Sequence, residues 1–321
     1  MKHKGKILIG VLVISILLNG YFIFAKPGTA SSPQKESFED LVEKYPLLSK
    51  RILAEVPNDY LVNFVDLRNQ LRTTVAPYSD KFAFYFEYLP TGTSIGVNEK
   101  DEFTAASLLK VPVVMANLLL EEIEGEDSMP DTITLTEDMI NSNYGSLWKR
   151  GAGGIVTRDE AIKYALEESD NTAIDALISI TDYKYFQRVH DGLDIELKDV
   201  QDTPVITTKN YSSILRALYF ASVVDKEDSQ RILSHLSKSV HDKMLSAGVP
   251  ESVEVANKVG VVDGELYTDC GIVYVPRRPY LLCMLSVSDE ATALARMSEI
   301  SKMTYDFVSN VNQEMPSGVS E

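Results

Sequence analysis

Cysteine is scarce: there are two in 321 residues, Cys270 and Cys283. Two cysteines make neither a disulfide framework nor a cysteine-rich metal site. They fall on neighbouring predicted strands and could pair, but two buried free thiols is the favoured reading, because unpaired cysteine is among the most buried residue types. Histidine is also scarce. His3, His190, His235 and His241 show no paired ligand spacing, so no metal is expected, and no other cofactor. Positive charge is in short supply: 31 Lys and Arg stand against 47 Asp and Glu, a formal net charge of -16. A chain with that balance would repel a phosphate backbone, which excludes nucleic acid as a partner. Internal repeats and long low-complexity tracts are absent. Apolar runs long enough to cross a membrane are absent too, except at one place near the N-terminus.

That place is residues 7–25, preceded by Lys2, Lys4 and Lys6. Positive charge on the near side keeps the N-terminus in the cytoplasm and sends the rest outside. The run is long for a signal-peptide core and about right for a span. Gly28-Thr-Ala30 offers a small-x-small cleavage site, so a cleaved signal stays open. An uncleaved single-pass anchor over residues 1–30 is favoured, with the remainder held on the outer side of the cell membrane. The rest has an ordinary hydrophobic fraction, 45%, and enough length for a sizeable core.

Residues 31–80 read as a polar spacer followed by helix, with Leu61, Phe64, Val65 and Leu71 near a 3.6-residue period. A β-hairpin follows, from Lys81-Phe-Ala-Phe-Tyr-Phe-Glu-Tyr88 to Ile95-Gly-Val97. Residues 104–250 read as mainly helical. Thr157-Arg-Asp-Glu160 is a capping box that opens one helix. Further helices are expected over 172–180 and 212–223, with an aperiodic loop over 190–208. From residue 254 the pattern returns to strands, over 254–260, 269–275 and 280–287, and then to a helix over 289–311. A polar tail, 312–321, closes the chain. Strand patterns at both ends of 81–311 and helices between them predict an α+β domain in which the ends meet in one sheet and the middle forms an inserted helical part.

Chemistry concentrates in three short motifs. Ser107-Leu-Leu-Lys110 opens an apolar helical stretch, and its two polar residues, three apart, share one face. A serine hydroxyl needs a nearby base, and a lysine with a lowered pKa can be that base. The helix N-terminus adds partial positive charge, and Pro112 is tolerated in a first turn. Ser-x-x-Lys alone is weak evidence, expected about once by chance in such a chain. It occurs here also at Ser32 with Lys35 and at Ser146 with Lys149. The second motif, Ser169-Asp-Asn171, is sharper, expected in roughly one chain in twenty. The third is Lys258-Val-Gly260 on a predicted strand. Each has a bland alternative: a cap for Ser107, a solvated residue for Lys110, a turn for Asp170 and Asn171, an edge charge for Lys258. Their order and setting favour a joint catalytic role.

In that order the three motifs resemble those of the serine β-lactamase and penicillin-binding protein superfamily, and within it the class A β-lactamase-like branch. The resemblance spans about residues 80–310. Gly154-Ile-Val-Thr-Arg-Asp-Glu160 and Asp269-Cys-Gly-Ile-Val273 extend it. It implies a five-stranded antiparallel sheet flanked by N- and C-terminal helices, with an all-helical insertion. It implies that Ser107 attacks an amide carbonyl and that Lys110 takes its proton. Backbone N–H groups of Ser107 and Val261 would form the oxyanion hole. Ser169 would relay a proton to the leaving nitrogen, Asn171 would bind the acyl side chain, and Lys258 would face Ser169 and a substrate carboxylate. Gly260 would leave room along the strand edge.

Two departures stand out. Val259 occupies the middle of the third motif, where the family carries Thr or Ser, and so a hydroxyl for the substrate carboxylate is missing. The loop that supplies the family's deacylating glutamate is shorter here by about ten residues. Asp194 or Glu196, near Leu197 and Lys198, are candidate stand-ins, against a reading as solvated loop carboxylates. The expectation is therefore an extracytoplasmic β-lactamase-like serine hydrolase acting on a small-molecule β-lactam, expected to be a monomer. The alternatives are a D-alanyl-D-alanine carboxypeptidase or transpeptidase acting on cell-wall peptide, and a non-catalytic membrane-anchored binding or sensor protein.

Overall fold

The computed structural model describes residues 38–48, 63–125, 130–193, 195, 204–262 and 264–310. The expected anchor, residues 1–30, and the polar tail, 312–321, lie outside the described residues. Among the described residues no helix is long and apolar enough to cross a membrane. In chain order the elements are α1 (Phe38–Lys44), α2 (Val65–Val75), β1 (Phe82–Tyr88), β2 (Thr93–Val97), β3 (Phe103–Thr104), α3 (Lys110–Glu124), β4 (Thr132–Thr134), β5 (Ile155–Thr157), α4 (Arg158–Glu167), α5 (Asn171–Ile180), α6 (Tyr183–Leu193), β6 (Val205–Ile206), α7 (Thr208–Tyr219), α8 (Lys226–Leu236), β7 (Val255–Val262), β8 (Leu266–Val273), β9 (Tyr280–Val287) and α9 (Glu290–Asn310). Of the unit that ends at Leu41 only the first residues of α1 are described; every contact below lies within the unit from Val42 onward.

Five strands form one antiparallel sheet in the order β2-β1-β9-β8-β7, so the first and last parts of the chain do meet in it. The strands do not alternate apolar and polar residues because both faces are covered. Phe82, Phe84, Phe86 and Tyr88 of β1 join Leu67, Leu71 and Val75 of α2 and Met297 and Ile300 of α9 in one core. On the other face Glu87, 3% exposed, meets α7, where Arg216 Nη1 lies 2.8 Å from its carboxylate. Tyr85 Oη donates to the same carboxylate at 3.0 Å. The helical part is built around α3. That helix is apolar on nearly every side, with Val111, Val114, Met115, Ala116 and Leu118 fully buried. Such a helix must be enclosed, and α4, α5, α6 and α8 enclose it.

Several expectations need correction. Cys270 and Cys283 are not free thiols: they sit directly opposite each other on β8 and β9 and are joined in a disulfide. A one-residue slip of register would have put them on opposite faces, and the pattern alone could not set that register. Val65, assigned to an apolar face, is 45% exposed, while Leu67 and Leu71 turn inward. The predicted loop over 190–208 begins inside α6. The helix expected from residue 212 begins at Thr208, capped by the Thr207 side chain, which accepts from Asn210 N. The ladders β3–β6 and β4–β5 were not anticipated, being two and three residue pairs long.

Candidate active site

Ser107 lies in a single 3₁₀ turn, Ala106–Leu109, that runs into α3. It therefore precedes the α-helix instead of opening it, and Lys110 is the first α-helical residue. Pro112 falls in the first turn, where its missing N–H costs nothing. Ala106 has φ of +46°. A non-glycine residue in this left-handed region is strained, and such strain persists only where the surroundings fix it. The second serine shares this property: Ser169 has φ of +56°. It sits between α4 and α5. The predicted capping box opens α4, with Thr157 and Glu160 satisfying each other's backbone N–H groups. Asp170 caps α5, accepting from Ala173 N at 2.9 Å, and accepts also from Leu147 N at 2.7 Å. For Asp170 the bland structural reading holds. Asn171, one residue on, turns inward.

These elements converge on Lys110, which is 4% exposed. Its Nζ donates to Ser169 O at 2.6 Å and to Asn171 Oδ1 at 2.7 Å. It lies 3.0 Å from Ser107 Oγ and 3.3 Å from Ser169 Oγ. Two acceptors that carry no proton thus fix two of its N–H directions. The remaining direction faces the serine hydroxyls. In the neutral amine a lone pair points there, which is what a base needs. Burial pushes the Lys110 ammonium down to about 8, against the opposing pull of Asp170 and Asp175.

The third motif enters from the sheet edge. Lys258, 1% exposed, donates to Ser169 Oγ at 2.8 Å and to Val259 O at 3.0 Å. Burial lowers its pKa well below the usual lysine range, and the charge of Lys110 lowers it further. Two amines of depressed basicity therefore flank one serine hydroxyl. That geometry can pass a proton from Ser107 to Lys110 and on through Ser169. The residues drawn from all three sequence motifs thus come together.

A family model described as "Beta-lactamase enzyme family" matches residues 66–308. The chain belongs to the β-lactamase enzyme family. Among curated relatives, Beta-lactamase 3 of Bacillus cereus is 24% identical over 232 residues, covering 67% of this chain and 72% of that protein. The Bacillus licheniformis Beta-lactamase is 26% identical over 225 residues, 64% of this chain and 71% of that protein. Among solved structures, PBP-A superimposes with a TM-score of 0.67 at 20% identity, covering 77% of this chain and 98% of that one. A class A β-lactamase from Mycobacterium abscessus gives 0.66 at 18% identity, with coverage of 74% and 98%. At these identities the structural likeness speaks for the fold, a β-lactamase/transpeptidase-like α+β architecture.

Within this β-lactamase-family fold, Ser107 and Ser169 open onto a cleft of about 520 Å³. Val259 and Val261 of β7 form one wall. Val259 is 5% exposed, packs into the sheet core and lines the cleft, and it offers no hydroxyl there. At Gly260 a Cβ would lie 2.6 Å from Thr268 Oγ1 and 3.4 Å from Ala106 Cβ. The space a side chain would need is taken by the protein itself, which seats the Ser107 turn close against β7. Tyr144, Val240, His241 and Lys243 also line the cleft, and sequence reasoning missed all four. No local pattern marks them, since each belongs to a loop. Burial, then the nearby Lys258, holds the His241 ring below its ordinary pKa. The rival motif at Ser146 is structural: Ser146 Oγ donates to Glu168 Oε2 at 2.6 Å, and Lys149 is exposed. Ser32 and Lys35, and the candidate bases Asp194 and Glu196 with Leu197 and Lys198, lie outside the described residues.

Away from the cleft, Glu122, Asp225 and Asp228 bring possible metal-ligand atoms within 4.8 Å of one another. Asp225 is the cap of α8, and its own N–H donates to Glu122 Oε1 at 2.8 Å. Those bonds account for the cluster as a helix start.

Proposed function

We propose that this chain is an extracytoplasmic serine hydrolase that forms an acyl-enzyme at Ser107 with β-lactams and hydrolyses it. The observation that carries the reading is the Lys110 amine held 3.0 Å from Ser107 Oγ, with its other directions fixed by Ser169 O and Asn171 Oδ1. Lys110 takes the Ser107 proton as Oγ bonds to the lactam carbonyl carbon. Charge developing on the carbonyl oxygen is met by the N–H groups of Ser107 and Val261. As the C–N bond breaks, Ser169 delivers a proton to the nitrogen, supplied from the lysines on either side. Asn171 holds the acyl side chain, and Lys258 lends positive charge toward a substrate carboxylate. The names of the relatives, β-lactamases of Bacillus, support the substrate class.

A second reading, a D-alanyl peptidase of the cell wall, draws on the likeness to PBP-A, of which one variant is described as an acyl-enzyme complex with penicillin G. The short loop without the family's glutamate supports it as well, while Val259 is the one hint in the sequence for a non-catalytic role. A non-catalytic binding role sits poorly with five intact polar residues brought together at one cleft. For location, the basic flank and apolar run of residues 1–30 support a membrane anchor, and the Cys270–Cys283 disulfide supports an oxidising compartment. A monomer is proposed.

The test is to incubate residues 31–321 with a chromogenic β-lactam and follow hydrolysis and intact mass together. Steady turnover with a transient adduct, both absent in Ser107→Ala, is the expected result. A stable adduct, lost in Ser107→Ala, would favour the peptidase. Folded protein that gives neither signal would leave the binding role.

A further inference from the structure

A substrate that carries a carboxylate is held best by a cation and a hydrogen-bond donor, and the third motif is a poor source of both. Val259 has no hydroxyl. Lys258 is 1% exposed, gives two of its N–H directions to Ser169 Oγ and Val259 O, and is lowered in basicity by burial. Among the described residues that line the cleft, Lys243 is the one lysine or arginine. It belongs to the loop between α8 and β7, from which Val240, His241 and Met244 also line the cleft. That loop is pinned along its length. Val240 N donates to Glu167 O at 3.1 Å, at the end of α4 and two residues before Ser169. His241 O accepts from Asn257 Nδ2 at 3.3 Å, next to Lys258 on β7. Leu245 N donates to Asp269 Oδ2 at 2.8 Å on β8, and Leu245 O accepts from Ser301 Oγ at 2.6 Å on α9. A loop so fixed presents its side chains with little ordering cost on binding. Two of its polar groups are unengaged. Lys243 is exposed and has no ion pair or hydrogen bond among the described residues. His241 Nε2 is buried and has no hydrogen-bond partner, which is uncommon for a buried polar atom.

We propose that the 240–244 loop binds the substrate carboxylate, with Lys243 supplying the charge and the His241 ring a hydrogen bond in place of the hydroxyl that Val259 lacks. The inference rests on the reading that Ser107 is acylated by a β-lactam. The Lys243 ammonium pairs with one carboxylate oxygen. The other oxygen accepts from His241 Nε2, and its negative charge draws a proton onto that nitrogen. The charged groups that reach this ring are Lys258 of β7, Lys110 of α3 and the neighbouring Asp242, with the Glu168 backbone beside it. Neither Lys243 nor His241 belongs to the relay of Ser107, Lys110 and Ser169, so the loop acts on capture of the substrate and not on bond making.

The test sets benzylpenicillin against its methyl ester, which differs only at the carboxylate. Both are given to the chain from residue 31, and the second-order rate of adduct formation is followed by intact mass. Wild type is expected to prefer the acid. Lys243→Ala should slow acylation by the acid at least about tenfold, the effect of one hydrogen bond to a charged group, and by the ester less than about threefold. Lys243→Arg keeps the charge and should restore most of the preference, and His241→Phe should lose part of it. A wild type that treats acid and ester alike overturns the proposal, as does an unchanged acid rate in Lys243→Ala. Equal losses on both substrates overturn it in favour of a structural role for the loop. The full wild-type preference in His241→Phe overturns the part given to the histidine. Folded wild type that forms no adduct with either compound fails the acyl-enzyme reading itself, and this inference with it.

Discussion

In the proposed mechanism a single protonation state decides whether the cleft can work. Lys110 must be neutral to accept the Ser107 proton. Its pKa, lowered by burial to about 8, leaves about one molecule in ten ready at pH 7. The acylation rate should therefore climb about tenfold per pH unit from pH 6 and level off near pH 8. Stopped-flow acylation across that range checks it, and a flat profile would remove Lys110 as base. Val259 poses a second question at the same scale. Its side chain lines the cleft and has no hydroxyl to offer. Val259→Thr should tighten capture of carboxylate-bearing β-lactams by roughly tenfold or more, the effect of one hydrogen bond to a charged group. An unchanged KM would show that this strand is not where the carboxylate lies.

Lys258 reaches Ser169 only because β7 is held in place, and a buried aspartate on the neighbouring strand helps to hold it. Asp269 on β8 accepts from Asn257 Nδ2 at 2.9 Å and from Leu245 N at 2.8 Å. Burial pushes its carboxyl up to about 7. Asp269→Ala leaves two buried donors unpaired, at about 1–3 kcal/mol each, so a loss of about 2–6 kcal/mol is expected in urea unfolding. A change under 1 kcal/mol would mean that water replaces the carboxylate. The sequence told of the elements unevenly, for a physical reason. Ser107 with Lys110, and Ser169 with Asn171, are legible because each pair is set by one turn of backbone. The three long strands are legible because covered faces demand continuous apolar runs. Cys270 with Cys283 depends on register, while Tyr144, His241 and Lys243 reach the cleft from loops.

On the scale of the molecule, part of the stretch expected as spacer and N-terminal helices, residues 31–80, packs against the rest of the fold. Tyr45, Leu47 and Leu48 are 3%, 2% and 3% exposed. The Tyr45 hydroxyl donates to Glu227, and Leu47 N donates to Gln230 Oε1 at 3.0 Å, both on α8. Leu47 O accepts from Tyr274 Oη at 2.9 Å, just past β8. One short segment thus ties the helical part to the sheet. Leu47→Ala removes a buried side chain and should cost about 2–4 kcal/mol. In a domain of this size that lowers Tm by about 4–15 °C. At 25 °C the variant should keep its kcat/KM, because Leu47 does not line the cleft. An unchanged Tm would make the segment a loose tether, and a fall in kcat/KM with Tm intact would show that the tie also positions the cleft.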